Sequence, residues 1–70
     1  MAEEIKITLA AARVNAGLTQ VQAAEKSGIK LDTIKTAETG KVEPRWSTVV
    51  ILADLYGIPI QNIVVPVKSA

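Results

Sequence analysis

Half of the eight basic side chains of this 70-residue chain, Lys30, Lys35, Lys41 and Arg45, fall in one stretch that also holds Asp32, Glu38 and Glu43. Cations at this density can hold an anionic surface through charge-assisted hydrogen bonds or can lie as a solvated face, and the interleaved acids leave both readings open. The rest of the chain is electrically balanced. Lys6, Arg13 and Lys26 offset Glu3, Glu4 and Glu25 before this stretch, and Lys68 offsets Asp54 after it, so the whole net charge of +1 arises between residues 30 and 45. Covalent and metal chemistry is limited by residue type: with no cysteine and no histidine, no disulfide framework, zinc cluster, haem motif, thiol nucleophile or imidazole base can be built. The only adjacent carboxylates, Glu3 and Glu4, stand at the terminus, with no Gly-rich phosphate loop or nucleophile–base set to accompany them. An enzyme is the least expected class, and no cofactor or metal is expected.

The elements that must position these residues are marked by four glycines, each following a stretch of good helix formers. Gly17 follows Thr8 to Ala16, where Thr8 suits an N-cap and Leu9, Ala12 and Ala16 share a face. Gly28 follows Gln20 to Ser27, and Thr19 with Gln22 three positions on predicts a reciprocal capping box at the start of that helix. Gly40 closes a third stretch from about Leu31 to Thr39. Gly57 closes a fourth that starts near Trp46 after Pro44, with Trp46, Val49, Ala53 and Tyr56 at steps of three and four. After Gly57, Pro59 suits the first position of one or two further helical turns. Ile5 to Ile7 and Val64 to Val67 favour extended structure, and each is equally expected as a frayed end or as half of a small terminal strand pair.

Hydrophobic residues at 49% with 21% charged fit a folded domain. The whole of 1–70 is read as one domain, an all-α bundle of four to five short helices with a core of about 7–63 and an apolar tail over 64–70. The apolar segments Val49 to Ala53 and Ile63 to Val67 fall far short of the roughly 20 residues of a membrane span, and the acidic start predicts a cytoplasmic protein.

A capped helix, a Gly28-Ile29 turn and a second helix with Ile34 in its middle have the form of a helix-turn-helix. Ala24 is expected where the two helices cross, and Ile29 with Ile34 is expected to pin the second helix to the core. At these residues the chain resembles the Xre/Cro-type family of phage and bacterial repressor domains. Arg13-Val14-Asn15-Ala16-Gly17-Leu18-Thr19-Gln20 resembles the end of that family's helix 1 and the start of helix 2. Glu38-Thr39-Gly40-Lys41 before Pro44 resembles its exit from helix 3, and Leu52-Ala53 through Tyr56-Gly57-Ile58 resembles its fourth helix. The similarity runs from about Ile7 to Ile63. It implies five helices, with helices 2 and 3 as a unit that reads double-stranded DNA. Carried over by position, Gln20 would bond a phosphate, Lys30, Leu31, Asp32 and Thr36 would meet base edges, and Lys35, Lys41 and Arg45 would lie beside the duplex backbone. Arg13 and Glu38 match a pair that links helix 1 to the end of helix 3.

Each assignment has a plainer counterpart. Thr19 and Gln22 are accounted for by capping, which leaves Gln20 free for phosphate, and Arg13 with Glu38 reads as a partly buried structural ion pair. Trp46 and Tyr56, the only aromatics, are expected in the core. Departures from the family's pattern also count. Leu31 and Asp32 stand where amides and basic residues are common, although a carboxylate can accept from cytosine N4 and apolar groups can touch thymine methyls. Ala10 stands where relatives often carry a basic residue, and Ser27 and Ala37 replace larger apolar side chains, which thins the core.

Val50 and Ile51 make the fourth helix apolar on more than one face, and Ile58, Ile60, Ile63 and Val65 extend that surface. A symmetric homodimer through helix 4, helix 5 and the tail would cover it; a tail folded back over its own domain is the alternative. The expectation is a dimeric, sequence-specific DNA-binding regulator of repressor type. The rival is the same fold used for dimerisation or for a protein partner on the apolar C-terminal surface, with weak or no DNA binding.

Overall fold

The computed structural model describes residues 6–64. Four α-helices, α1 (Leu9–Asn15), α2 (Gln20–Ser27), α3 (Leu31–Thr39) and α4 (Trp46–Tyr56), are followed by one 3-10 turn over Ile60–Asn62. The expected fifth helix is therefore a single tight turn, and Pro59 stands immediately before it with extended ψ. A two-residue strand, β1 (Ile7–Thr8), pairs in parallel with β2 (Ile63–Val64), Ile7 opposite Ile63 and Thr8 opposite Val64. Of the two alternatives for the ends of the chain, the strand pair is the one formed; its C-terminal half is described over Ile63–Val64, and Val65 to Val67 lie outside the described residues. A parallel pair needs a long crossover, and here all four helices supply it, so the two ends of the domain are clasped by backbone hydrogen bonds.

The helix boundaries follow from local chemistry. Thr8 caps α1 by accepting from the Ala11 N–H at 3.1 Å. The capping box of α2 is complete: Thr19 Oγ1 accepts from the Gln22 N–H at 3.0 Å, and Gln22 Oε1 accepts from the Thr19 N–H at 2.9 Å. Gly28 closes α2 at φ +78°, in the left-handed region that a Cβ disfavours, and its N–H returns to Ala24 O at 2.9 Å. Ser27 adds a bond by accepting from the Ile29 N–H at 3.1 Å.

The core is small and dense. Leu9, Ile34, Val49 and Leu52 are its largest fully buried side chains, and Ala12, Ala23, Ala37 and Ala53 fill the spaces between helices. Alanines at these points let the helix axes approach closely, which short helices need if so few residues are to exclude water. Burial of each of the four large side chains stabilises the fold by roughly 1.5–3 kcal/mol. Ile34→Ala would detach α3 from this core, because that helix has no other large buried side chain.

Several sequence expectations are corrected here. Ala23 is fully buried between the crossing helices, whereas Ala24 is only half-buried. Ala16 is exposed as the C-cap of α1: its N–H still returns to Ala12 O at 3.0 Å, but its side chain is not covered by the core. Tyr56 is in the core, but Trp46 is 66% exposed. It stands on the first turn of α4, on the flank of the stripe formed by Val49, Leu52, Ala53 and Tyr56, and no described element packs over it. Ile63 is 8% exposed and belongs to the domain's own core, with Ile58 and Ile60 half-buried against it. These three are largely withdrawn from any outward apolar surface because β2 and the 3-10 turn fold back beside β1 and α4. Val50 and Ile51 remain exposed, as does Val64, while Val65 lies outside the described residues. Among the described residues no helix is long and apolar enough to cross a membrane.

Candidate functional site

The α2–turn–α3 unit is held at its open end by a hydrogen-bonded cluster. Arg13, from α1, donates from Nε to Glu38 Oε2 at 2.8 Å and from Nη2 to Glu38 Oε1 at 3.4 Å, while its Nη1 donates to Leu18 O at 2.8 Å. Gln20, the first residue of α2, donates from Nε2 to Glu38 Oε1 at 2.9 Å. One carboxylate near the end of α3 thus gathers donors from α1 and α2, and the Arg13 and Glu38 side chains are 14% and 7% exposed. The hydrogen bond to Glu38, with the carboxylate's charge in addition, raises the pKa of Arg13 further above its already high value, against the opposing effect of burial. Gln20 is therefore not free, as its position in the sequence suggested. One N–H of its amide is committed to Glu38, and only the second can reach outward.

Tyr56 lies under this cluster. It is 7% exposed, and its Oη has no hydrogen-bond partner among the described residues. Burial raises its pKa, and the nearby Glu38 carboxylate adds to the rise while Arg13 opposes it.

On the outer side of α3 the picture differs. Lys30, Asp32 and Lys35 are exposed, with Lys30 as the N-cap residue and Asp32 in the first turn. Leu31 and Thr36 are half-buried, and Thr36 Oγ1 donates to Thr33 O at 3.1 Å, which leaves its methyl and its lone pairs as the outward functions. Lys41 and Arg45 are exposed on the segment that joins α3 to α4, Arg45 as the N-cap residue of α4. Because Glu38 is neutralised inward by Arg13, the outward charge of residues 30 to 45 is four cations against two carboxylates, Asp32 and Glu43. The surface is more positive than the sequence count alone.

Asp32, Thr36, Glu43, Arg45 and Thr48 are brought together around an open groove of about 330 Å³ between α3 and the start of α4, with Ala37, Val42 and Pro44 among its apolar lining. Sequence reasoning placed Asp32, Thr36 and Arg45 at a common surface but missed Glu43 and Thr48, which reach the groove from the joining segment and from the first turn of α4. A detectable signal did exist for another feature. Neither Lys30 nor Arg45 can cap a helix with a side-chain oxygen, and neither does, so the first N–H groups of α3 and α4 are left without side-chain caps beside these cations.

No curated protein and no solved structure matches the chain. Residues 7–62 match the family model described as a helix-turn-helix domain, a span that takes in α1 to α4 and the 3-10 turn; the chain belongs to the helix-turn-helix domain family.

Proposed function

We propose that this chain is a sequence-specific, double-stranded-DNA-binding transcriptional regulator of the Xre/Cro type, acting as a repressor-like homodimer that reads the major groove with α3. One observation carries the reading: a family-matched helix-turn-helix whose second helix keeps its inner side in the core through Ile34 and Ala37 and leaves Lys30, Asp32 and Lys35 exposed on the other. Such a helix is held from behind and free in front, as groove entry requires. In this reading Lys30, Leu31, Asp32 and Thr36 meet base edges. Asp32 accepts from a cytosine amino group, and Leu31 with the Thr36 methyl meets thymine methyls. Lys35, Lys41, Arg45 and the outward N–H of Gln20 hold phosphates, aided by the uncapped N-terminus of α3. Arg13 and Glu38 set the angle between α1, α2 and α3. Dimerisation uses the exposed Val50 and Ile51.

The test is selection from a random duplex library at low and physiological salt. An enriched inverted repeat with half-sites about 34 Å apart supports the reading. With three or four phosphate contacts per subunit, the logarithmic salt slope for the dimer should be about −5 to −7. An unenriched pool from folded protein, or a slope near zero, overturns it. The presence of both Asp32 and Glu43 in the groove beside α3 favours the second reading, a helix-turn-helix kept as a protein-interaction module, in which case folded chain would pass heparin unretained at moderate salt.

A further inference from the structure

We propose that the outer face of α4 is a self-complementary dimer surface that packs antiparallel against α4 of a second copy, about a two-fold axis at Val50. This deepens the homodimeric part of the reading above and is independent of whether the dimer binds DNA. Trp46, Val50 and Asp54 recur at steps of four and form one ridge on the outer side of the helix, with Ser47 and Ile51 beside it, all of them exposed. Trp46 is 66%, Val50 41% and Ile51 44% exposed, so three large apolar side chains stand together against water on a helix whose opposite side already forms the core.

The two ends of the ridge select a second copy as the occupant. In an antiparallel pair centred on Val50, Asp54 of one copy falls opposite Trp46 of the other, and the match occurs twice. Asp54 brings a carboxylate that has no side-chain hydrogen bond or ion pair among the described residues. The Trp46 end brings an indole N–H and helix N–H groups that no side chain caps. Anion therefore meets the positive end of a helix at both sites. A parallel pair would instead set Asp54 against Asp54 and N-terminus against N-terminus. Ridges of the i±4 kind interdigitate at a crossing angle near −50°. One short ridge per copy is a small contact beside the roughly 1,200 Å² of a standard interface, so the dimer should be weak and reversible.

A residue on a two-fold axis meets its own copy, and this supplies the test. Sedimentation equilibrium of the full chain without DNA should show a reversible monomer–dimer equilibrium, with Trp46 emission shifting to shorter wavelength as the dimer forms. Val50→Asp and Val50→Lys should each weaken the dimer at least tenfold while circular dichroism keeps the helix content, since Val50 is a surface position. Mixed in equal amounts, the two variants should recover the dimer, because opposite charges then meet at the axis. Asp54→Lys should also weaken it. A wild-type chain that stays monomeric overturns the proposal, whether residues 65–70 cover the face or nothing does. So does a mixture that stays monomeric, or an Asp54→Lys chain that dimerises like the wild type. Failure of DNA selection leaves all these readouts unchanged, so the two proposals fail separately.

Discussion

Arg13 Nε donates to Glu38 Oε2 at 2.8 Å, and this contact joins α1 to the end of α3 across 25 positions of the chain. Both side chains are largely buried, and the same carboxylate also accepts from Gln20. Removing Glu38 would strand a guanidinium and release the first residue of α2 together. Glu38→Ala should therefore cost about 3 kcal/mol, read as a fall in the urea midpoint, with Glu38→Gln costing less because it keeps the volume and one acceptor. A loss within the ±0.5 kcal/mol or so typical of surface changes would mean that the cluster is solvated.

Tyr56 gives a pH dependence with a defined sign. Its folded-state pKa is raised by burial and by the Glu38 carboxylate, so its neutral form is favoured in the fold. That contribution is fully present below the ordinary tyrosine range near pH 10 and is lost as pH rises through the folded value. Tyr56→Phe should remove this alkaline component. It should also leave neutral-pH stability equal or higher by about 0.5–1 kcal/mol, because the hydroxyl is buried without a partner among the described residues. Urea midpoints of the two proteins at pH 8 and pH 11 check both points.

Phosphate and base contacts separate by their salt behaviour. Lys35→Ala, Lys41→Ala and Arg45→Ala should each weaken binding to every duplex alike and reduce the magnitude of the salt slope by about 1 per contact removed. Asp32→Asn should leave the slope nearly unchanged and relax preference at one base pair per half-site. Fluorescence anisotropy against the selected site and its single-base variants would distinguish them, and an unaltered preference would remove Asp32 from the reading set.

The turn that aims α3 depends on two local devices. Thr19→Ala removes one half of the α2 capping box and should cost about 1 kcal/mol. Gly28→Ala meets no atom within 4 Å, so its cost comes from backbone conformation alone at φ +78° and should be about 1 kcal/mol. Thermal unfolding measures both, and neither should change which duplex is preferred.

Helix existence was legible because its signals are local. Thr8, the Thr19–Gln22 box and the glycines after each helix act over one turn of chain, and they place α2, α3 and α4 at their observed limits. The Arg13–Glu38 pair was legible only through a resemblance, since nothing between residues 13 and 38 signals their approach. Trp46 shows the converse error: its spacing from Val49, Ala53 and Tyr56 is helical, yet spacing gives a face and says nothing of where the opposing elements stop.

What the sequence by itself determined is the set of helices, their caps and turns, and the concentration of cations between residues 30 and 45, because propensity, capping and composition are properties of neighbours in the chain. Tertiary structure alone decided that Gln20 is drawn into the Arg13–Glu38 cluster, that Ile63 closes the core beside Ile7, and that Trp46 stays outside. Each of these depends on which surfaces meet after the helices cross, and burial is settled by that packing and not by hydrophobicity read one residue at a time.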